Sequence, residues 1–268
     1  MINHTSFQEL TGCSFQWDHM TQLIWKGASR RSATRRTRPR KAIAIPPQTI
    51  KRVLEDKVWQ PLINNRDINL ITLRAALMLI IQHRCAARWM DSLQLRTEDF
   101  HLQRHSDNQL YLRIEYKSSK TDRDFAGSYA FILANPTGDH CAVEIIRHYF
   151  ARIGAHFGNS PQHESHTVFP QIRRIITNQG SQQVPEFTRV VSTTTLLEQF
   201  QTLVKSTGYR GKITTKSAKM SSVAHAHAAG FSQEELMLHG RWRSHETPRY
   251  YNSHLPAYKL RLAAKMHL

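Results

Sequence analysis

The most apolar stretch of the chain, LITLRAALMLIIQ, dictates what has to surround it. It lies inside a helical pattern over residues 68 to 92, rich in Leu, Ile, Ala and Met. A helix this apolar must be covered on most sides by other elements. It is too short to cross a bilayer and carries Arg74, so the expectation is a buried core helix and no membrane span. The 268 residues are long enough to build that cover as one large domain or two small ones. The apolar share, 40%, is below the usual share for a globular domain, yet the chain does not read as disordered.

The flanking pattern supplies the cover. Pro46 and Pro47 punctuate the start of a folded body, and Gln48 to Leu54 reads as a helix. FHLQRHSDNQLYLRIEYKSSK carries two β-like runs around the turn SDNQ, which predicts a hairpin, and SYAFIL offers a third strand. CAVEIIRHYFARIG predicts an amphipathic helix ended by Gly154. Residues 156 to 190 read as polar and irregular. Helices are expected near 194–206, 217–229 and 232–239, and AYKLRLAAKMHL as a short basic amphipathic helix. No internal repeat is visible. The expected fold is mainly α with a small antiparallel β-sheet, in a body over residues 46 to 268. A short N-terminal segment with a basic arm, residues 1 to 45, precedes it.

Charge narrows the partners. Lys and Arg number 37 against 20 Asp and Glu, a formal net charge of +17. Such an excess calls for a polyanion, and double-stranded DNA is the leading reading. A membrane surface ranks second, but no long basic amphipathic helix is present to lie on it. The excess is densest in KGASRRSATRRTRPRKA, where Lys26, Arg30, Arg31, Arg35, Arg36, Arg38, Arg40 and Lys41 stand without one acid. Self-repulsion and the Ser, Thr, Gly and Pro content favour an extended arm, which gains counterion-release free energy on a duplex. Cys13, Cys85 and Cys141 are odd in number and far apart, which argues for a reducing compartment, against a disulfide framework and against a zinc site. The first residues lack a basic region followed by an apolar run, so no secretory signal is expected and the location is expected to be cytoplasmic, on DNA. His225 and His227 lie two apart, on different faces of a helix, and read as structural. His239 and His245 have no companion carboxylates placed for a metal, and Cys85 is expected to be buried and inert.

Four stretches carry chemistry: RWMDSLQLRTEDF (88–100), YKSSKTD (116–122), KSAKMSSVAHAHAAG (216–230) and HGRWRSHETPRYY (239–251). Their order and spacing resemble the tyrosine recombinase (phage integrase) family over roughly residues 46 to 260. Arg88, with Asp91 and LQLRTED behind it, matches that family's first catalytic arginine. Lys120 matches its hairpin lysine, with Lys117 as the fallback. Lys216 and Lys219 stand where the family has a His and a second Arg, a register supported by Gly230 eleven residues on. Trp242 matches the His-or-Trp position. Tyr251, nine residues later, matches the nucleophile, with Tyr250 its near rival. Arg241 and Arg243 are expected to contact DNA alongside the arm.

The resemblance implies strand cleavage and rejoining through a 3′-phosphotyrosyl link, in recombination or integration of the kind carried by mobile genetic elements. It also implies self-association of protomers on paired DNA sites. Guanidinium forks suit the non-bridging phosphate oxygens, a lysine can protonate the leaving 5′ oxygen, and a phenol conserves the bond for rejoining. That chemistry asks for no metal and no cofactor. Two departures stand out. Lysine at 216 and 219 keeps charge but loses the bidentate fork. The family's separate N-terminal clamp domain is replaced here by the short basic segment or by a partner. They motivate a rival reading, a recombinase-fold DNA-binding regulator that cuts weakly or not at all. A topoisomerase-like relaxing enzyme is a third.

Overall fold

The computed structural model describes residues 43–117, 128–135, 140–178, 180–241 and 263–266. The chain divides into two units, Met1–Lys41 and Ala42–Leu268, and every described residue belongs to the second. Helix α1, Pro47–Leu54, starts on Pro47, where a missing N–H costs nothing. It runs into a π-helical turn over Glu55–Trp59 and a single α-turn, α2, over Gln60–Ile63.

Helix α3, Leu70–Arg84, is the apolar stretch. It is buried along almost its whole length and packs on the three long helices α5, α6 and α7 described below. Asn69 caps it by accepting from the Ile71 amide at 2.8 Å, and Gln183 accepts from the Leu70 amide at 2.8 Å. Arg74 is 2% exposed. Its guanidinium donates to the Pro170 carbonyl and to Gln199 Oε1, so the buried charge is hydrogen-bonded and ties α3 to two other elements. The expected helical pattern over 68–92 is broken by four residues. Cys85, Ala86, Ala87 and Arg88 interrupt it, with Ala86 in the left-handed region at φ +47°, before the short helix α4, Trp89–Leu93. No Gly or Pro marks the break.

A 3-10 turn at Thr97–Asp99 leads into strands β1 (Phe100–Arg104), β2 (Leu110–Tyr116) and β3 (Ser128–Leu133). They form an antiparallel sheet in the order β1-β2-β3, with Leu102 opposite Leu112 and Leu112 opposite Ile132. Those residues and Phe100, Ile114 and Tyr116 face the main core. The other face gathers Tyr111, Tyr129, Phe131 and Leu133 under Ala263, while Met266 packs with Ala226 and Phe231. Helix α5, Ala142–Ile153, ends at Gly154, whose φ of +70° suits a residue without Cβ.

Residues 156 to 190 are not irregular throughout. Strands β4 (Pro170–Thr177) and β5 (Gly180–Val190) form a second antiparallel sheet, so the described residues hold two sheets where the sequence led us to expect one. The pairing jumps from Pro170–Val190 to Gln171–Glu186, which loops out Phe187 to Arg189. Helices α6 (Thr193–Lys205), α7 (Ser217–Ala228) and α8 (Gln233–Gly240) follow where expected. Of the expected C-terminal helix, residues 263–265 are helical and most of the remainder lies outside the described residues. Among the described residues no helix is long and apolar enough to cross a membrane. The fold is a mixed helical one with small antiparallel sheets.

Candidate nucleic-acid phosphate site

Arg88 sits at the N-cap of α4, in extended backbone just after the helix break. Asp91, one turn on, holds its guanidinium at 3.8 Å, and the side chains are 31% and 12% exposed. Asp91 thus orients Arg88 and leaves part of the fork open to solvent.

Lys219 comes from α7, and its side chain is half-buried. Burial first, and then the charges of Arg88 and Arg241, together push its ammonium down to about 8, with Asp91 partly offsetting them. Among the described residues the structure therefore brings Arg88, Lys219 and Arg241 within electrostatic reach of one another, with Asp91 beside them. Like charges gathered at a half-buried site repel, and an anion bound among them relieves that repulsion.

Arg241 is the residue that sequence reasoning assigned only to general DNA contact. It follows α8 in the left-handed conformation, φ +52°. Its Nη1 donates to the Cys85 carbonyl at 2.7 Å, and its guanidinium lies 4.0 Å over the Tyr116 ring. The break after α3 explains the partner: ending the helix at Arg84 leaves the Cys85 carbonyl outside the helical ladder, where it can accept. The Tyr116 phenol is buried at the end of β2, which holds its pKa well above the usual range and leaves the ring as a platform. The sequence signal for Arg241 was its place immediately before Trp242.

Lys216 is exposed at the start of α7, where its carbonyl accepts from the Met220 amide at 2.9 Å. Lys117, the fallback hairpin lysine, is engaged with Glu98 and lies 3.1 Å from Asp99. These acids raise its pKa. Lys117 is therefore already ion-paired with the turn before β1. Lys120, Trp242, Arg243, Tyr250 and Tyr251 lie outside the described residues, as do Arg30, Arg31, Arg35, Arg36, Arg38, Arg40 and Lys41.

Helix α7 is held by polar contacts. Its Ser221 Oγ accepts from the Ile45 amide at 2.7 Å. His225 Nδ1 meets His83 Nε2 of α3 at 2.7 Å, and Ser222 Oγ meets His239 Nε2 of α8 at 3.0 Å. His225 is thus structural, as expected from its sequence. His239 is pushed down to about 4 by burial and by the Arg241 charge. Cys85 is buried, and burial raises its thiol to about 11, which leaves it a poor nucleophile at neutral pH.

No family model and no curated protein sequence matches the chain. Among solved structures, an FLP recombinase–Holliday junction complex aligns at 10% identity and a TM-score of 0.45, covering 92% of this chain and 59% of that one. A Flpe–Holliday junction complex aligns at 10% identity and 0.44, covering 92% and 58%. The chain therefore spans less than two thirds of the length of the proteins it is similar to.

Proposed function

We propose that the chain is a site-specific DNA recombinase that cleaves and rejoins strands through a 3′-phosphotyrosyl link. The observation that carries this reading is the convergence, among the described residues, of Arg88, Lys219 and Arg241 beside Asp91. A scissile phosphate among them would meet two guanidinium forks and an ammonium. In this reading Arg241 supplies the second fork that lysine at position 219 cannot. Its carbonyl and ring contacts fix the fork before DNA arrives, so no reorganisation is needed as charge grows on the phosphorane.

The reaction divides the remaining roles. The Tyr251 phenol oxygen attacks phosphorus and loses its proton to solvent. The bond to the 5′ oxygen breaks, and Lys120 delivers a proton to that oxygen as it leaves. Rejoining reverses both transfers with the 5′ hydroxyl of another strand. Arg243 and the arm from Arg30 to Lys41 track flanking phosphates, and protomers pair on two DNA sites.

One observation favours a second reading, DNA binding without cleavage. Lys216 is exposed and Lys219 half-buried, and neither offers a bidentate fork. The test is single-turnover formation of a covalent adduct on a nicked duplex that traps the intermediate. Arg88→Ala and Arg241→Ala should each slow adduct formation by about 10²–10³. Their affinity for the duplex should stay within about tenfold of wild type. Wild-type rates in both variants would remove the cluster from the chemistry. Wild type that binds the duplex and never forms an adduct would select the second reading.

A further inference from the structure

Ribbon β4–β5 extends beyond the surface it is rooted on. From Arg173 to Ile176 on β4 and from Gly180 to Gln182 on β5, every residue is exposed. Ile176 is 85% exposed and Ile175 46%. These neighbours point to opposite faces of the ribbon, so neither face is covered near its tip. A two-stranded hairpin is marginal in water unless something packs on it. This one is rooted through the Arg74 bond to the Pro170 carbonyl, the Gln183 bond to the Leu70 amide and Phe187 stacked on His166. Beyond that root its stability calls for a partner.

The side chains indicate which partner. The ribbon carries Arg173, Arg174 and Arg189 against one acid, Glu186. Arg173 donates to Glu186 at 2.7 Å, while Arg174 is exposed with its Nε on Ser181 Oγ at 2.7 Å. Gln182 is exposed opposite Ile175. Arg and Gln pair bidentately with guanine and adenine edges, and aliphatic groups meet thymine methyls. Position agrees with this chemistry. Strand β5 leads into Thr193, whose Oγ1 lies 3.9 Å from Met90 Sδ, and Met90 sits on α4 between Arg88 and Asp91. The root of the ribbon thus adjoins the helix that carries the phosphate site. From Arg173 to Thr177 the strand rises about 13 Å, at roughly 3.3 Å per residue. That exceeds the roughly 8.5 Å depth of a major groove, which is wide enough to admit a two-stranded ribbon.

We propose that ribbon β4–β5 enters the DNA major groove beside the phosphate site and reads base edges there. This rests on the DNA-binding reading above and adds to it the element that selects sequence. The test uses the full chain. Duplexes bound by wild type are selected from a pool with a randomised centre, and affinities for a selected and a random duplex are compared. Gln182→Ala and Arg174→Ala should each lower the selected-to-random ratio by about tenfold. Affinity for the random duplex and the thermal midpoint should be nearly unchanged. Variants that keep the wild-type ratio overturn the inference, as does wild type that selects no sequence. It also falls if the variants change the oligomeric state measured without DNA while the ratio stays, because the ribbon then joins two copies. Wild type that binds no duplex at all overturns the DNA-binding reading itself, and that result precedes any variant.

Discussion

Lys219 keeps a charge where arginine would keep both a charge and a fork. Its ammonium is held down to about 8, so it is protonated below that pH and neutral above it. An unfolded lysine holds its proton to about 10.4, so global stability rises with pH between those values as the unfolded state alone stays charged. In the proposed reading phosphate binding would have the opposite sign, because it needs the ammonium. The second-order rate of adduct formation should therefore fall above about pH 8 in wild type. In Lys219→Arg it should stay level further into the alkaline range, since a guanidinium does not titrate there. A wild-type profile flat through pH 8 and beyond would remove Lys219 from the phosphate. Arg88 and Lys219 were singled out in the sequence by the family resemblance. The anchored role of Arg241 was not, because its partners Cys85 and Tyr116 lie more than a hundred residues away in the chain.

At the scale of elements, the His83–His225 hydrogen bond ties α7 to α3, and the Ser222–His239 hydrogen bond ties α8 to α7. Burial lowers the pKa of His83, His225 and His239, the last to about 4. An unfolded histidine titrates near 6.5. The unfolded state therefore takes up protons first, and stability is lost as pH falls from about 6.5 toward about 4. Urea midpoints measured across that window should drop, and the drop should be shallower in His239→Gln. Equal slopes in the two proteins would mean that other groups carry the acid sensitivity. Most elements were readable because period and capping agreed, as in the helix ended by Gly154 and the hairpin turned at residues 106–109. The break at Ala86 was hidden because an alanine takes a left-handed backbone that sequence reserves for glycine. Ribbon β4–β5 was hidden because the Arg173–Arg174 and Ile175–Ile176 doublets break the alternation that a half-buried strand shows. With both faces exposed near the tip, no buried face imposes that alternation.

For the whole molecule, in the proposed DNA-binding reading, the net charge of +17 would make phosphate contact the main source of affinity. Replacing Arg30, Arg31, Arg35 and Arg36 with Ser should flatten the log–log salt dependence of duplex binding by about 3.6, at roughly 0.9 per phosphate contact. An unchanged slope would show that the arm does not touch the duplex. The class of the fold was visible in pattern, while the second sheet and the meeting of Arg88, Lys219 and Arg241 needed the chain folded. The most direct measurement traps the covalent intermediate on a nicked duplex and maps the modified peptide in wild type, Tyr251→Phe and Tyr250→Phe. The expected result is an adduct at the 3′ phosphate, carried by Tyr251 and lost only in Tyr251→Phe. No adduct on DNA that the wild type binds, or an adduct surviving in both variants, would contradict a tyrosine-mediated strand transfer.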